Sequence, residues 1–264
     1  MTIPIFESMQ NIWSVLLLVL VRVSGMFFLS PIFGRRNLPN NFKIGFCLMF
    51  TLLIANTVAI PDFSQYASLA AYALLIGKEL LVGLMMGFIS YLFFSSIYIA
   101  GQMIDMRIGF GMVNVMDPLS NIQIPITADF YVVIATLVML ATNSHHLLIE
   151  AMAESYKYLP IGAAEFSGET PRQLVGLFSA VFAIGFKIAA PVTITILITD
   201  LALGIISKSM PQMNVFMLGM PLKVILGIAI IYLTLGAFNG IVSLITDKTY
   251  KEIFNFLINV GQTQ

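Results

Sequence analysis

The chain has 264 residues, 59% of them hydrophobic and only 10% charged, whereas a soluble domain carries about 25% charged residues to keep its surface wet. A composition this poor in charge excludes an ordinary soluble globule and points to a chain embedded in a membrane. Thirteen basic and thirteen acidic side chains cancel, which removes the electrostatic footprint expected of a nucleic-acid or polyanion binder.

Residues 1–10 hold no Lys or Arg ahead of the first apolar run. The basic start of a cleavable signal peptide is missing, so the first span is expected to stay in the mature protein. Apolar runs follow at 12–33, 44–60, 67–104, 124–142, 174–206 and 224–245. Several exceed the roughly 18 to 20 residues that cross a hydrocarbon core. Barrel strands alternate polar and apolar residues over about ten positions. Residues 80–98 show no such alternation, so the fold class is all-α, a polytopic helical membrane protein.

Arg22 lies deep in the first run, and three readings stay open for it: an inter-helix ion pair, a pore role, or a side chain snorkelling to the interface. The loop 34–43 contains Arg35, Arg36 and Lys43 and no acid, which places it in the cytoplasm by the positive-inside rule. Six simple spans would then leave the tail with Lys248 and Lys251 outside, against the same rule. Some apolar helices are therefore expected not to be ordinary lipid-facing spans. Cys47, the single cysteine, has no intrachain partner and reads as a small buried hydrophobe.

The run 67–104 would extend about 57 Å as a helix, against a hydrocarbon core of about 30 Å, and Lys78 and Glu79 lie inside it. It is expected either to break near Gly77 or Gly83 or to project from the membrane. Gly83 with Gly87, and Gly236 with Gly240, stand at G-x-x-x-G spacing, which lets helix backbones approach closely. With Gly77, Gly101, Gly204 and Gly227 they suggest protein-lined faces, although glycine is also simply common in membrane helices.

Between two apolar helices lies a segment with Ile108, Phe110, Met112, Val113, Val115 and Met116 beside Gly109 and Gly111. That is a poor composition for a solvated loop, so the segment is expected to be buried or to fill a cavity. Composition leaves open both a re-entrant packing loop and a stopper that moves aside. Asp129 and Asp200 stand in apolar surroundings, either as a proton-coupled relay, as hydrogen-bonded packing residues facing other helices, or as residues in a polar cavity. Lys187 lies inside the run 174–206, where Pro191 is expected to kink the helix.

Signatures of catalysis are missing: there is no H-E-x-x-H, G-x-S-x-G or G-x-x-x-x-G-K-[ST]. His145 and His146 are adjacent, so on a helix their rings point about 100° apart and do not share one metal. No catalytic residue, metal or cofactor is expected.

Taken together, a series of short motifs resembles the FliR family of flagellar type III export-gate proteins. They are Pro31-Ile-Phe-Gly34-Arg35 with Pro39; Glu79 with Gly83 and Gly87; Ala100-Gly101-Gln-Met-Ile-Asp105, running into Gly109-Phe110 and Asp117-Pro118; and Asn143-Ser-His145-His146-Leu. Pro160-Ile-Gly162 follows, then Ala190-Pro191 with Asp200 and Gly204, and Pro211-Gln-Met-Asn214-Val-Phe216 with Pro221 and Lys223. The order and spacing of these pieces carry the likeness more than any one of them.

The resemblance implies a FliP-like part over 1–172, with a plug loop at 106–122, joined to a FliQ-like helical hairpin and tail over 173–264. It implies assembly with FliP and FliQ homologues, with FlhB as a further neighbour, into a pore for unfolded flagellar substrates. The place implied is the inner membrane at the flagellar basal body, with the plug drawn from positions 108–118. A virulence-type injectisome gate is the nearest alternative reading, and a secondary transporter using Asp129 and Asp200 is a more distant one.

Overall fold

Inside a membrane, backbone N–H and C=O groups must be satisfied within the chain, and long apolar runs do this as helices. The computed structural model describes residues 4–31, 33–34, 38–61, 63, 68–110, 125–166, 169–210, 212 and 214–261. Within them run α1 (Pro4–Leu29), α2 (Asn40–Ala55), α3 (Leu69–Ile108), α4 (Ile126–Ala141) and α5 (His145–Tyr158). They are followed by α6 (Glu169–Ser209), α7 (Val215–Thr234), a single 3-10 turn (Leu235–Ala237) and α8 (Phe238–Gly261), and no strand occurs among the described residues. Four helical stretches among them are long and apolar enough to cross a membrane, or five if α4 and α5 form one broken span.

α3 is continuous over 40 residues, about 60 Å, so of the two alternatives left open by the sequence the break near Gly77 or Gly83 does not occur. α6 likewise runs unbroken for 41 residues with Pro191 inside it. Pro191 is exposed on α6, and lacking an N–H it leaves one carbonyl of the preceding turn without its usual helical donor. Asn214 caps α7 by accepting the Met217 N–H at 3.3 Å, one of the donors a helix start leaves unpaired.

The chain forms two compact units. The first comprises Met1–Phe93, His145–Leu177 and Thr246–Gln264. Its buried positions recur every three to four residues: Val15, Leu18, Val19, Val23 and Met26 on α1, Leu148, Ala151 and Met152 on α5, and Ile253, Phe256, Leu257 and Val260 on α8. Such spacing places one face of each helix inward. The second comprises Phe94–Ser144 and Phe178–Ile245. Its buried residues include Ile97, Ala100 and Ile104 of α3, Tyr131, Ala135 and Met139 of α4, and Val181, Val192 and Ile196 of α6.

Candidate functional site

Two constellations gather the residues singled out by sequence, one in each unit. In the first unit, Arg22 and Glu79 are both fully buried and face each other, with Arg22 Nε donating to Glu79 Oε2 at 2.7 Å. Arg22 Nη1 also donates to Ser155 Oγ at 3.3 Å and to the Leu159 carbonyl at 3.0 Å. The Arg22 guanidinium carbon stands 4.1 Å from the centre of the Tyr156 ring, close enough for cation–π attraction. The other Glu79 oxygen accepts the Gly162 N–H at 3.0 Å. One ion pair thereby joins α1, α3, α5 and the turn after α5. Of the three readings open for Arg22, the structure selects the inter-helix pair.

Glycine brings the two backbones together here. A Cβ on Gly83 would lie 2.1 Å from the Arg22 carbonyl oxygen, and one on Gly87 would lie 2.6 Å from that of Met26. Gly25 opposes them from α1, where a Cβ would come within 2.9 Å of the Leu84 nitrogen. The first G-x-x-x-G pair is thus used inside the unit. The second is not: a Cβ on Gly236 or on Gly240 would meet nothing within 4 Å.

In the second unit the last turn of α3 meets the first turn of α4. Asp105 is buried, and its carboxylate accepts the Thr127 N–H at 3.0 and 3.2 Å and the Ala128 N–H at 3.4 Å. These are orphan donors of a helix start, and a carboxylate there also answers the positive end of the helix dipole. A Cβ on Gly101 would lie 2.2 Å from Ala128 Cα, so the two helices touch through glycine one turn below Asp105. Gly109 then ends α3 with φ +101 and donates its N–H to the Asp105 carbonyl at 3.1 Å, a left-handed cap for which glycine carries no steric cost. Ile108 is fully buried and seated against Gly227 of α7, where a Cβ would fall 2.4 Å from its Cδ1.

Ile108, Gly109 and Phe110 therefore form the described stem of the expected plug. Gly111, Met112, Val113, Val115 and Met116 lie outside the described residues.

The remaining charges are dispersed. Asp129 is exposed in the first turn of α4, where a carboxylate answers the positive end of the helix dipole. Asp200 of α6 pairs with Lys223 of α7, and Lys187 is exposed on α6. His145 and His146 open α5 with ring centres 4.3 Å apart, and no metal-binding cluster occurs among the described residues.

Sequence reasoning did not single out Ser155, Tyr156 or Gly25. The available signal was physical: Arg22 offers five donors and needs several acceptors when buried, and Ser155 and Tyr156 stand side by side in an amphipathic stretch.

A model of bacterial export proteins, family 1, matches residues 13–249. The chain is similar to the flagellar biosynthetic protein FliR of Bacillus subtilis, 34% identical over 258 residues covering 97% of this chain and 99% of that protein. It is similar also to the protein of that name in Aquifex aeolicus, 32% identical with 83% and 84% covered, and in Escherichia coli, 27% identical with 91% and 90% covered.

Proposed function

The chain belongs to the bacterial export proteins of family 1, the family of the flagellar biosynthetic proteins FliR, and from that premise we propose that it forms part of an export pore with FliP and FliQ homologues. As a family member it is a component of the flagellar export apparatus, a multi-pass protein of the inner membrane at the basal body. The observation that carries the finer reading is the likeness itself, which spans nearly the whole chain rather than one motif.

The division into a FliP-like part (1–172) and a FliQ-like hairpin (173–264) belongs to this proposal. Support for shared walls comes from α6 and α7, which leave Phe182, Phe186, Ile194, Leu201, Ile225 and Ile228 exposed. FlhB and unfolded flagellar substrates complete the proposed set of partners. The chain contributes wall helices and a plug, and energy for transport is supplied elsewhere in the apparatus.

The segment 106–122, whose first three residues are the last of α3, is the proposed plug. Support comes from its apolar composition and from the buried clamp at its ends, where Asp105 holds the start of α4 and Ile108 is locked on Gly227. Phe110, Met112, Val113 and Met116 make the seal, because methionine repacks readily around a moving chain.

The test is ion or small-solute leak across membranes containing the assembled apparatus. Glycine at those four positions, or deletion of residues 109–114, is expected to raise resting leak. Unchanged permeability in assembled mutants contradicts the plug.

A further inference from the structure

Beside the export reading stands a groove that it does not use. α1 and α2 meet through an aromatic cluster in which Phe27 of α1 packs against Phe46 and Phe50 of α2 at 5.9 and 5.7 Å, with Phe33 stacked on Phe27 at 4.5 Å. Next to this cluster the two helices leave a cavity of about 620 Å3, whose walls include Leu20, Phe28, Ile44 and Leu48. Phe28, Ile44 and Leu48 are 77%, 59% and 47% exposed, so the groove opens sideways across an apolar lip.

Among the described residues one charged side chain lines it, Lys43. Its Nζ donates to the Gly34 carbonyl at 3.4 Å, and an ammonium group has two further protons to give. Among the described residues no carboxylate pairs with it, and the sequence holds no acid between Glu7 and Asp62.

Position along the chain orients the groove in the membrane. The apolar span of α1 covers Asn11–Leu29; Leu20 and Phe28 lie within it, whereas Gly34 and Lys43 come after its end. The α1 wall of the groove thus belongs to the apolar span, and the cation stands beyond the end of that span. Bulky Phe28 and Phe33 line the groove where a partner helix would need small residues for close approach.

We propose that this groove binds one anionic phospholipid, an acyl chain lying along α1 and α2 and the headgroup phosphate accepting from Lys43 Nζ. Basic pockets between membrane helices on the cytoplasmic side suit such headgroups, and the sequence from 34 to 43 holds three basic residues and no acid.

Native mass spectrometry tests it on the full chain purified with whatever subunits accompany it, stripped of lipid and mixed with phosphatidylglycerol or phosphatidylcholine. Phosphatidylglycerol is expected to stay bound at activation energies that remove phosphatidylcholine. Lys43→Ala should lower its retention about fivefold, as one lysine near an anionic surface is worth, and Lys43→Arg should restore it. Leu48→Trp, which fills the groove and leaves the charge, should lower retention of both lipids. Equal binding of the two lipids with no effect of Lys43→Ala overturns the proposal. So does a photo-cross-linker at Leu48 that captures a protein segment instead of lipid.

Discussion

At the scale of single residues, the buried pair Arg22–Glu79 decides how the first unit responds to substitution. Desolvating two charges offsets much of their attraction, so a buried pair contributes little net stability, yet removing one partner leaves an uncompensated buried charge. Glu79→Leu or Arg22→Met alone is expected to destabilise the protein by about 3–5 kcal/mol, whereas the double substitution should recover most of the loss. Thermal unfolding in detergent, run as a double-mutant cycle, checks this; additive losses would show that the two side chains are not coupled. The pair was half legible in sequence. Two lone opposite charges in separate apolar runs invite pairing, but no spacing rule links positions 22 and 79, because their meeting depends on how helices distant in sequence pack.

Glycines show the same limit. Gly83 and Gly240 carry the same motif spacing and have opposite surroundings. Gly83→Ala places a methyl 2.1 Å from the Arg22 carbonyl oxygen, and forcing α1 away from α3 is expected to cost about 1–3 kcal/mol. Gly240→Ala meets nothing within 4 Å and should change the chain's own stability by no more than about 0.5 kcal/mol. Melting temperatures of the two variants, measured side by side, distinguish a used packing motif from an open one.

Among the elements, the junction of α3 and α4 carries the most consequence. Asp105 accepts two N–H groups of α4 while its own carbonyl accepts from the Gly109 N–H that ends α3. A single residue thus secures both ends of the intervening loop. Asp105→Asn keeps the shape but removes the charge from hydrogen bonds worth about 1.5–3 kcal/mol. Faster amide hydrogen exchange at Thr127 and Ala128 is expected, with α6 unchanged; protection equal to the parent protein would show that the charge does not hold the helix start.

Element identity was readable from apolar run length, since helices are the only way to bury such runs. Continuity was less so. Gly77 and Gly83 inside α3 look like break points in sequence, yet Gly83 is a contact with α1 and Gly77 merely leaves open space. Pro191 is exposed and lies inside α6, which continues past it to Ser209.

For the whole molecule, charge counting over six spans led to an inconsistent membrane map, whereas four or five helical stretches among the described residues are long and apolar enough to cross. α3 and α6 are each about 60 Å long, twice the thickness of a hydrocarbon core of about 30 Å, so each extends well beyond one core thickness. The proposed plug was legible as composition, an apolar loop rich in methionine and glycine. Its anchoring was not, because Asp105 caps a helix that begins 21 residues later in the chain. Exposed apolar side chains on α6 and α7, with Gly204 and Gly236 open beside no neighbour, accord with a chain completed by other subunits.

Co-expression of the tagged chain with FliP and FliQ homologues, mild detergent extraction and mass determination of the eluted species test this directly. The account predicts a single complex of defined mass containing both partners. A stable monomer or homodimer that excludes both would contradict it.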